Sequence, residues 1–151
     1  MTALQVLAAR KKGLTRLTKS SKILKTITKA IQDKKGENII SLDLRKIPEA
    51  VADFFIVCEA TTNVQIKAIA ENIEEQVKKI CGETPYHHEG YQALHWVLID
   101  YVNVVVHVFQ TDTRKFYRLE EMWSDAVLEE HEDGRPSKSV KKQGRLNKSI
   151  N

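Results

Sequence analysis

Histidines, cysteines and a few isolated carboxylates are the residues of this chain whose types could support chemistry. His87 and His88 are adjacent, His95, His107 and His131 are scattered, and no Cys-x-x-Cys, His-x-x-x-His or His-Glu-x-x-His spacing occurs. Metal ligands need such spacings to converge, so no metal site is predicted and His87-His88 reads as an exposed loop pair. Gly13, Gly82 and Gly90 form no phosphate-cradling loop. Two-metal nucleotidyl transfer needs clustered carboxylates, whereas Asp100 stands without a second Asp two residues away. No nucleophile elbow or cysteine-protease pattern surrounds the serines, cysteines or histidines. Asp100 and His107 can share one face of a hairpin as an acid–base pair. Catalysis would also need a pocket and a stabiliser of developing charge, so the simpler reading is a structural or partner-facing pair. The residues predict a protein without enzymatic activity and without a cofactor.

Charge is distributed unevenly along the 151 residues. Residues 1–35 carry a formal +9, residues 36–134 carry −11, and residues 135–151 carry +6. An acidic body with two basic arms suggests RNA contact by the arms, with Lys11, Lys12, Lys141 and Lys142 as candidates. The alternative is that both arms are solvated tails. Residues 1–19 read as a basic extension, residues 20–130 as the folded domain, and residues 131–151 as a basic, disordered tail. Residues 1–32 lack acidic side chains and are rich in Lys, Arg, Ser and Thr, the composition of an organellar transit peptide as well as of a bacterial cytoplasmic extension. No apolar run reaches membrane-spanning length, so no membrane partner is expected. Cys58 and Cys81 lie in apolar surroundings and read as small buried hydrophobes.

The elements that must position these residues follow from periodicity. Ile23, Leu24, Ile27, Ala30 and Ile31 fall at helical spacings, with Ser20 or Ser21 as cap and Gly36 past the end. Ile39–Leu44 and Phe54–Cys58 read as strands, the second apolar enough to be covered on both faces. Thr61, Thr62 or Asn63 caps a second helix with an apolar stripe of Ile66, Ile69, Ala70, Ile73, Val77 and Ile80, stopped by Gly82. Residues 83–94 form a connection that has room for one short strand.

Residues 95–109 read as a β-hairpin turning at Val102-Asn103, with Tyr101 opposite Val104, Ile99 opposite Val106 and Val97 opposite Val108. That register makes one apolar core face. The other collects Trp96, Leu98, Asp100, Val105, His107 and Phe109, and is either lightly covered or a contact surface. A last helix is expected from Thr111 or Asp112, burying Phe116, Leu119, Trp123 and Ala126 or Val127. The order of elements predicts an α/β fold, one small mixed sheet packed with helices.

Across the hairpin and last helix run Glu89-Gly90-Tyr91, Trp96-Val97-Leu98-Ile99-Asp100-Tyr101, Val104-Val105-Val106-His107-Val108-Phe109, Arg114-Lys115-Phe116-Tyr117-Arg118-Leu119-Glu120 and Trp123. This series is similar to the signature of the Iojap-like ribosomal silencing factors. Leu42-Asp43-Leu44, Asp53-Phe54-Phe55-Ile56-Val57 and the Thr61–Gly82 helix stand in the same order as in that family. One departure is Val102-Asn103, where the family often has Gly-Asp. Asn tolerates a left-handed conformation and Val does so only with strain, so a turn wider than two residues is the alternative here.

The resemblance implies a nucleotidyltransferase-like fold without catalytic residues. It also implies a homodimer when free, and binding to the large ribosomal subunit through its protein fourteen, which excludes the small subunit sterically and represses translation under nutrient limitation. The second hairpin face has the aromatic and polar mixture of a contact hot spot. The partner-binding residues expected are Trp96, Leu98, Asp100, Tyr101, His107, Phe109, Arg114 and Tyr117, with Phe116 and Trp123 as core. The rival readings are a metal-dependent nucleotidyltransferase-like enzyme and a general RNA-binding module that uses the basic arms.

Overall fold

A computed structural model describes residues 21–133 of the chain. Lys11, Lys12, Lys141 and Lys142 lie outside the described residues. Helix α1 (Lys22–Asp33) buries Ile23, Leu24, Ile27, Ala30 and Ile31, the face that the spacing predicts. Its chain leaves through Lys35 at φ +64°, and the Gly36 N–H closes the end on the Ile31 carbonyl at 3.0 Å.

Strands β1 (Glu37–Asp43) and β2 (Phe54–Ala60) follow, then helix α2 (Asn63–Gln76). Thr62 is the N-cap, accepting from the Gln65 N–H at 3.2 Å. The helix runs into a π-helical turn, Val77–Cys81, before Gly82 ends it at φ +71°. A π turn takes up more residues per turn than an α turn, so the apolar stripe slips out of phase. Ile80, expected in the core, is therefore 47% exposed, and half-buried Cys81 packs against the core in its place.

The remaining elements are β3 (His87–Glu89), β4 (Trp96–Asp100), β5 (Val104–Gln110), the short helices α3 (Thr111–Tyr117) and α4 (Leu119–Met122), and β6 (Val127–His131). Among the described residues six strands form one sheet in the order β3-β4-β5-β2-β1-β6, with β2 and β5 parallel and every other pair antiparallel. The predicted mixed α/β architecture is the observed one. β2 lies centrally and is buried along its whole length, as its continuous apolar run requires.

The hairpin has the expected register, Ile99 opposite Val106 and Val97 opposite Val108. Its turn stays tight because Val102 accepts φ +75°. The Asn103 N–H donates to the Tyr101 carbonyl at 2.9 Å, the closure of a γ-turn, a strained form when φ is positive. Asp100 Oδ1 accepts the Val102 N–H at 2.7 Å and steadies it.

The last helix departs from expectation. It breaks at Arg118, which sits at φ +47°, and the segment beyond it turns back to add β6 to the β1 edge. Gln110, rather than Thr111 or Asp112, is its N-cap, accepting from the N–H groups of Asp112 and Thr113. The break resets the helical phase. Leu119 and Ala126 are buried, but Phe116, predicted to be core, is 77% exposed and Trp123 only partly buried.

Candidate docking surface

The sheet separates two apolar clusters. On one side α1 and α2 cover Ile56, Val97, Ile99, Val106 and Val108. On the other, Ile40, Leu42, Phe55, Val57, Val105, Phe109 and Leu128 of β6 are covered by the β1–β2 connection and by Leu119 and Ala126. Helices α3 and α4 are too short to blanket this second face, and an aromatic surface is left at its β4–β5 corner.

That surface is a chain of ring contacts. The Trp123 ring meets Phe55 edge-on at 5.9 Å, and Phe55 meets His107 at 4.7 Å. Trp96 lies 4.7 Å from Phe109 and 4.9 Å from Tyr117, whose ring in turn meets Phe116 at 5.0 Å. Phe109 has no exposure and His107 only 4%, so these two form the floor. Trp96 and Leu98 are half-buried above them. Phe116, Tyr117 and Met122 stand out, at 77%, 49% and 70% exposure. Exposed aromatic rings beside a half-buried Trp are the composition that distinguishes interface centres from ordinary surface.

The Trp96 indole N–H donates to His107 Nδ1 at 3.1 Å. An accepting Nδ1 assigns the proton to Nε2, and Nε2 has no partner among the described residues. Desolvation pushes the His107 pKa down to about 3, so the ring is neutral and serves as a fixed acceptor that orients Trp96. Gly90 tightens the same corner. It sits at φ +94°, and a Cβ there would run into the Trp96 carbonyl.

Other anticipated site residues fall elsewhere. Asp100 and His107 share a face but form no acid–base pair, since Asp100 caps the hairpin turn and His107 holds Trp96. Tyr101 lies on the opposite face, 6% exposed within the helix-covered core; burial and neighbouring Glu74 push its hydroxyl pKa up. Arg114 is 7% exposed. It donates to Glu59 at 3.1 Å, to Glu120 at 2.9 Å and 3.2 Å, and to the Asn38 carbonyl at 2.7 Å. Its guanidinium is held by these three groups. The His87-His88 pair is exposed as expected, but on β3, with His88 Nδ1 2.7 Å from Glu74. Cys58 is buried beside β5, and desolvation pushes its thiol up to about 12, which leaves it unreactive.

Phe116, Met122 and Glu59 were not anticipated at this site. Glu59 had a signal, a carboxylate inside a strand otherwise apolar throughout, which demands a buried cation. Phe116 and Met122 had none, because the break at Arg118 carries no Gly or Pro to mark it.

A family model described as "Ribosomal silencing factor during starvation" matches residues 17–150. The ribosomal silencing factor of Bacillus subtilis (strain 168) is 42% identical over 106 residues, 70% of this chain and 88% of the relative. That of Halalkalibacterium halodurans is 38% identical over 113 residues, 75% and 95% of the two chains. The chloroplastic protein Iojap of Zea mays is 33% identical over 107 residues, 68% of this chain and 43% of that longer protein. A crystal structure of a Chromobacterium violaceum protein superposes with a TM-score of 0.64 at 32% identity, covering 78% of this chain and 90% of the other. One from Bacillus halodurans gives 0.60 at 37% identity, covering 67% and 92%. With its sequence matched almost end to end and its fold shared, the chain belongs to the ribosomal silencing factor family.

Proposed function

We propose that this protein binds the large ribosomal subunit through the aromatic surface around Trp96, mainly against ribosomal protein fourteen. Seated there it blocks association with the small subunit and represses translation when nutrients are scarce. The observation that carries this reading is the exposed Tyr117 ring against the oriented Trp96 ring, with exposed Phe116 against Tyr117 in turn. A monomer has no use for so much apolar surface in one place. Trp96, Leu98 and Tyr117 make the contact with Phe116 and Met122, while His107 and Phe109 support them from below and Asp100 holds the hairpin turn. Steric exclusion needs no catalytic step and no cofactor.

The acidic body suits a basic ribosomal protein, and the basic arms, through Lys11, Lys12, Lys141 and Lys142, touch neighbouring ribosomal RNA. When free, the protein is a homodimer. Among the described residues no helix is long and apolar enough to cross a membrane. The setting proposed is the bacterial cytoplasm, or an organelle interior if residues 1–19 act as a targeting segment.

Sedimentation with separated subunits, at low and moderate salt and with small-subunit joining scored in parallel, tests the proposal. Salt-resistant binding to the large subunit alone, with reduced joining, is expected. Binding to both subunits that disappears with salt would transfer the role to the basic arms and overturn the docking reading.

A further inference from the structure

We infer that the buried network of Arg114, Glu59 and Glu120 is a positioning device for the docking surface: it holds the break between α3 and α4 and so fixes where Phe116, Tyr117 and Met122 stand. The inference rests on the docking function proposed above and assigns its geometry to residues that touch no partner.

Each nitrogen of the Arg114 guanidinium is engaged. Nε and Nη2 both donate to Glu120 Oε2, at 3.2 Å and 2.9 Å, and Nη1 donates to Glu59 Oε1 at 3.1 Å and to the Asn38 carbonyl at 2.7 Å. Arg114 and Glu120 are six residues apart. On one continuous helix, six steps place two side chains about 120° apart around the axis, too far for Nε and Nη2 to reach one carboxylate oxygen together. The pair therefore exists only with the chain broken between them, and the break is at Arg118, left-handed at φ +47°. A non-glycine residue adopts that conformation only where surrounding contacts outweigh its cost.

The other end of the network is anchored on the sheet. Glu59 lies on central strand β2, in register with Phe109 on β5, and Asn38 sits at φ +48° within the irregularity between Glu37 and Ile40 on β1. The guanidinium thus ties α3 and α4 to two strands beside the floor of the aromatic surface. A buried ion pair adds little stability over apolar residues of similar size. What a planar guanidinium supplies is direction, several fixed bonds that a hydrophobic contact would leave free to slide. The exposed side chains Phe116, Tyr117 and Met122 lie within four residues of Arg118 on either side of the break.

The test compares the full-length protein with the triple variant Arg114→Met, Glu59→Gln, Glu120→Gln, which leaves no uncompensated buried charge, and with the milder Glu120→Gln. Large-subunit affinity and amide hydrogen exchange are measured for each. The triple variant is expected to bind about tenfold more weakly, with exchange raised over residues 111–123 and unchanged in β2 and β5. Glu120→Gln alone, in which the Glu59–Arg114 pair survives, is expected to lose severalfold. A purely structural role would raise exchange in β2 and β5 as well, and that result would overturn the inference.

A second measurement adds Phe116→Ser to the triple variant. Losses well short of additive are expected if the network acts through that ring, and fully additive losses would overturn the positioning role. Trp96→Ala in the same assay separates the two levels. Weak binding by Trp96→Ala with normal binding by the network variants sinks only the positioning inference, whereas normal binding by all of them sinks the docking reading beneath it.

Discussion

On one face of the sheet, α1 and α2 lay a mainly aliphatic layer over Ile56, Val106 and Val108. On the other face, a ten-residue connection and two helical fragments cover Phe55, Val57 and Phe109 incompletely, and aromatic rings take over at the margin. The first face is built by long periodic elements whose stripes match the sheet. The second is held by side-chain devices, namely the indole bond to His107 and the Arg114 network. An aliphatic layer maximises buried area and leaves nothing for a partner. A face assembled from fragments keeps a rim of apolar surface exposed, which is where recognition can occur. The aliphatic layer and the proposed docking surface thus lie on opposite sides of one sheet.

The contrast can be broken at its strongest point with Ile73→Ala. Ile73 has no exposure and lies on the buried face of α2, so truncation is expected to cost about 2–5 kcal/mol of unfolding free energy through lost burial and the cavity left behind. Denaturant melts measure this, and subunit affinity of the folded fraction should not change. Trp96→Ala is the reciprocal experiment. A hot-spot Trp is worth about 2 kcal/mol or more of binding, roughly thirtyfold in affinity, while far-ultraviolet circular dichroism should remain that of the folded chain. Retained affinity would show that the second face is not the docking surface.

A smaller effect tests the acceptor beneath Trp96. His107 in the fold titrates at about 3, below its unfolded value near 6.5. Over the window between them the unfolded chain binds the extra proton, so stability falls as pH is lowered. Between pH 7 and pH 5 the loss from this group is about 2 kcal/mol, and His107→Gln should flatten that part of the stability–pH curve. An unchanged curve would mean that His107 is not held neutral in the fold.

The smallest expected effect is at the hairpin turn. Val102→Gly relieves the strain of φ +75° but removes a side chain only 2% exposed. Backbone strain of about 1–3 kcal/mol and burial of about 1.5–3 kcal/mol oppose each other, so thermal melts should move little. A large destabilisation would show that packing, and not backbone geometry, governs this turn.

The sequence by itself determined the elements whose signals are local and repeated. The stripe from Ile23 to Ile31, the apolar run of β2 and the alternation of β4 and β5 each specify one periodicity over many residues, so small perturbations cannot change the outcome. The hairpin register survived an unfavourable turn residue for the same reason: a one-residue slip would have moved Val97, Ile99, Val106 and Val108 out of the core together. The family signature from Glu89 to Trp123 likewise lay in plain view. Only the tertiary structure decided what followed Tyr117. The residues 111–127 fit a single amphipathic helix, but Arg114 finds Glu59 and Asn38 on the sheet, β1 offers an open edge to Val127–His131, and the chain breaks at Arg118 to satisfy both. Those partners are 55, 76 and about 85 residues away, and no local pattern carries that information. The inward turn of Arg114 and the outward turn of Phe116 both come from this long-range competition between helix continuity and sheet contacts, which is resolved only when the whole chain is packed.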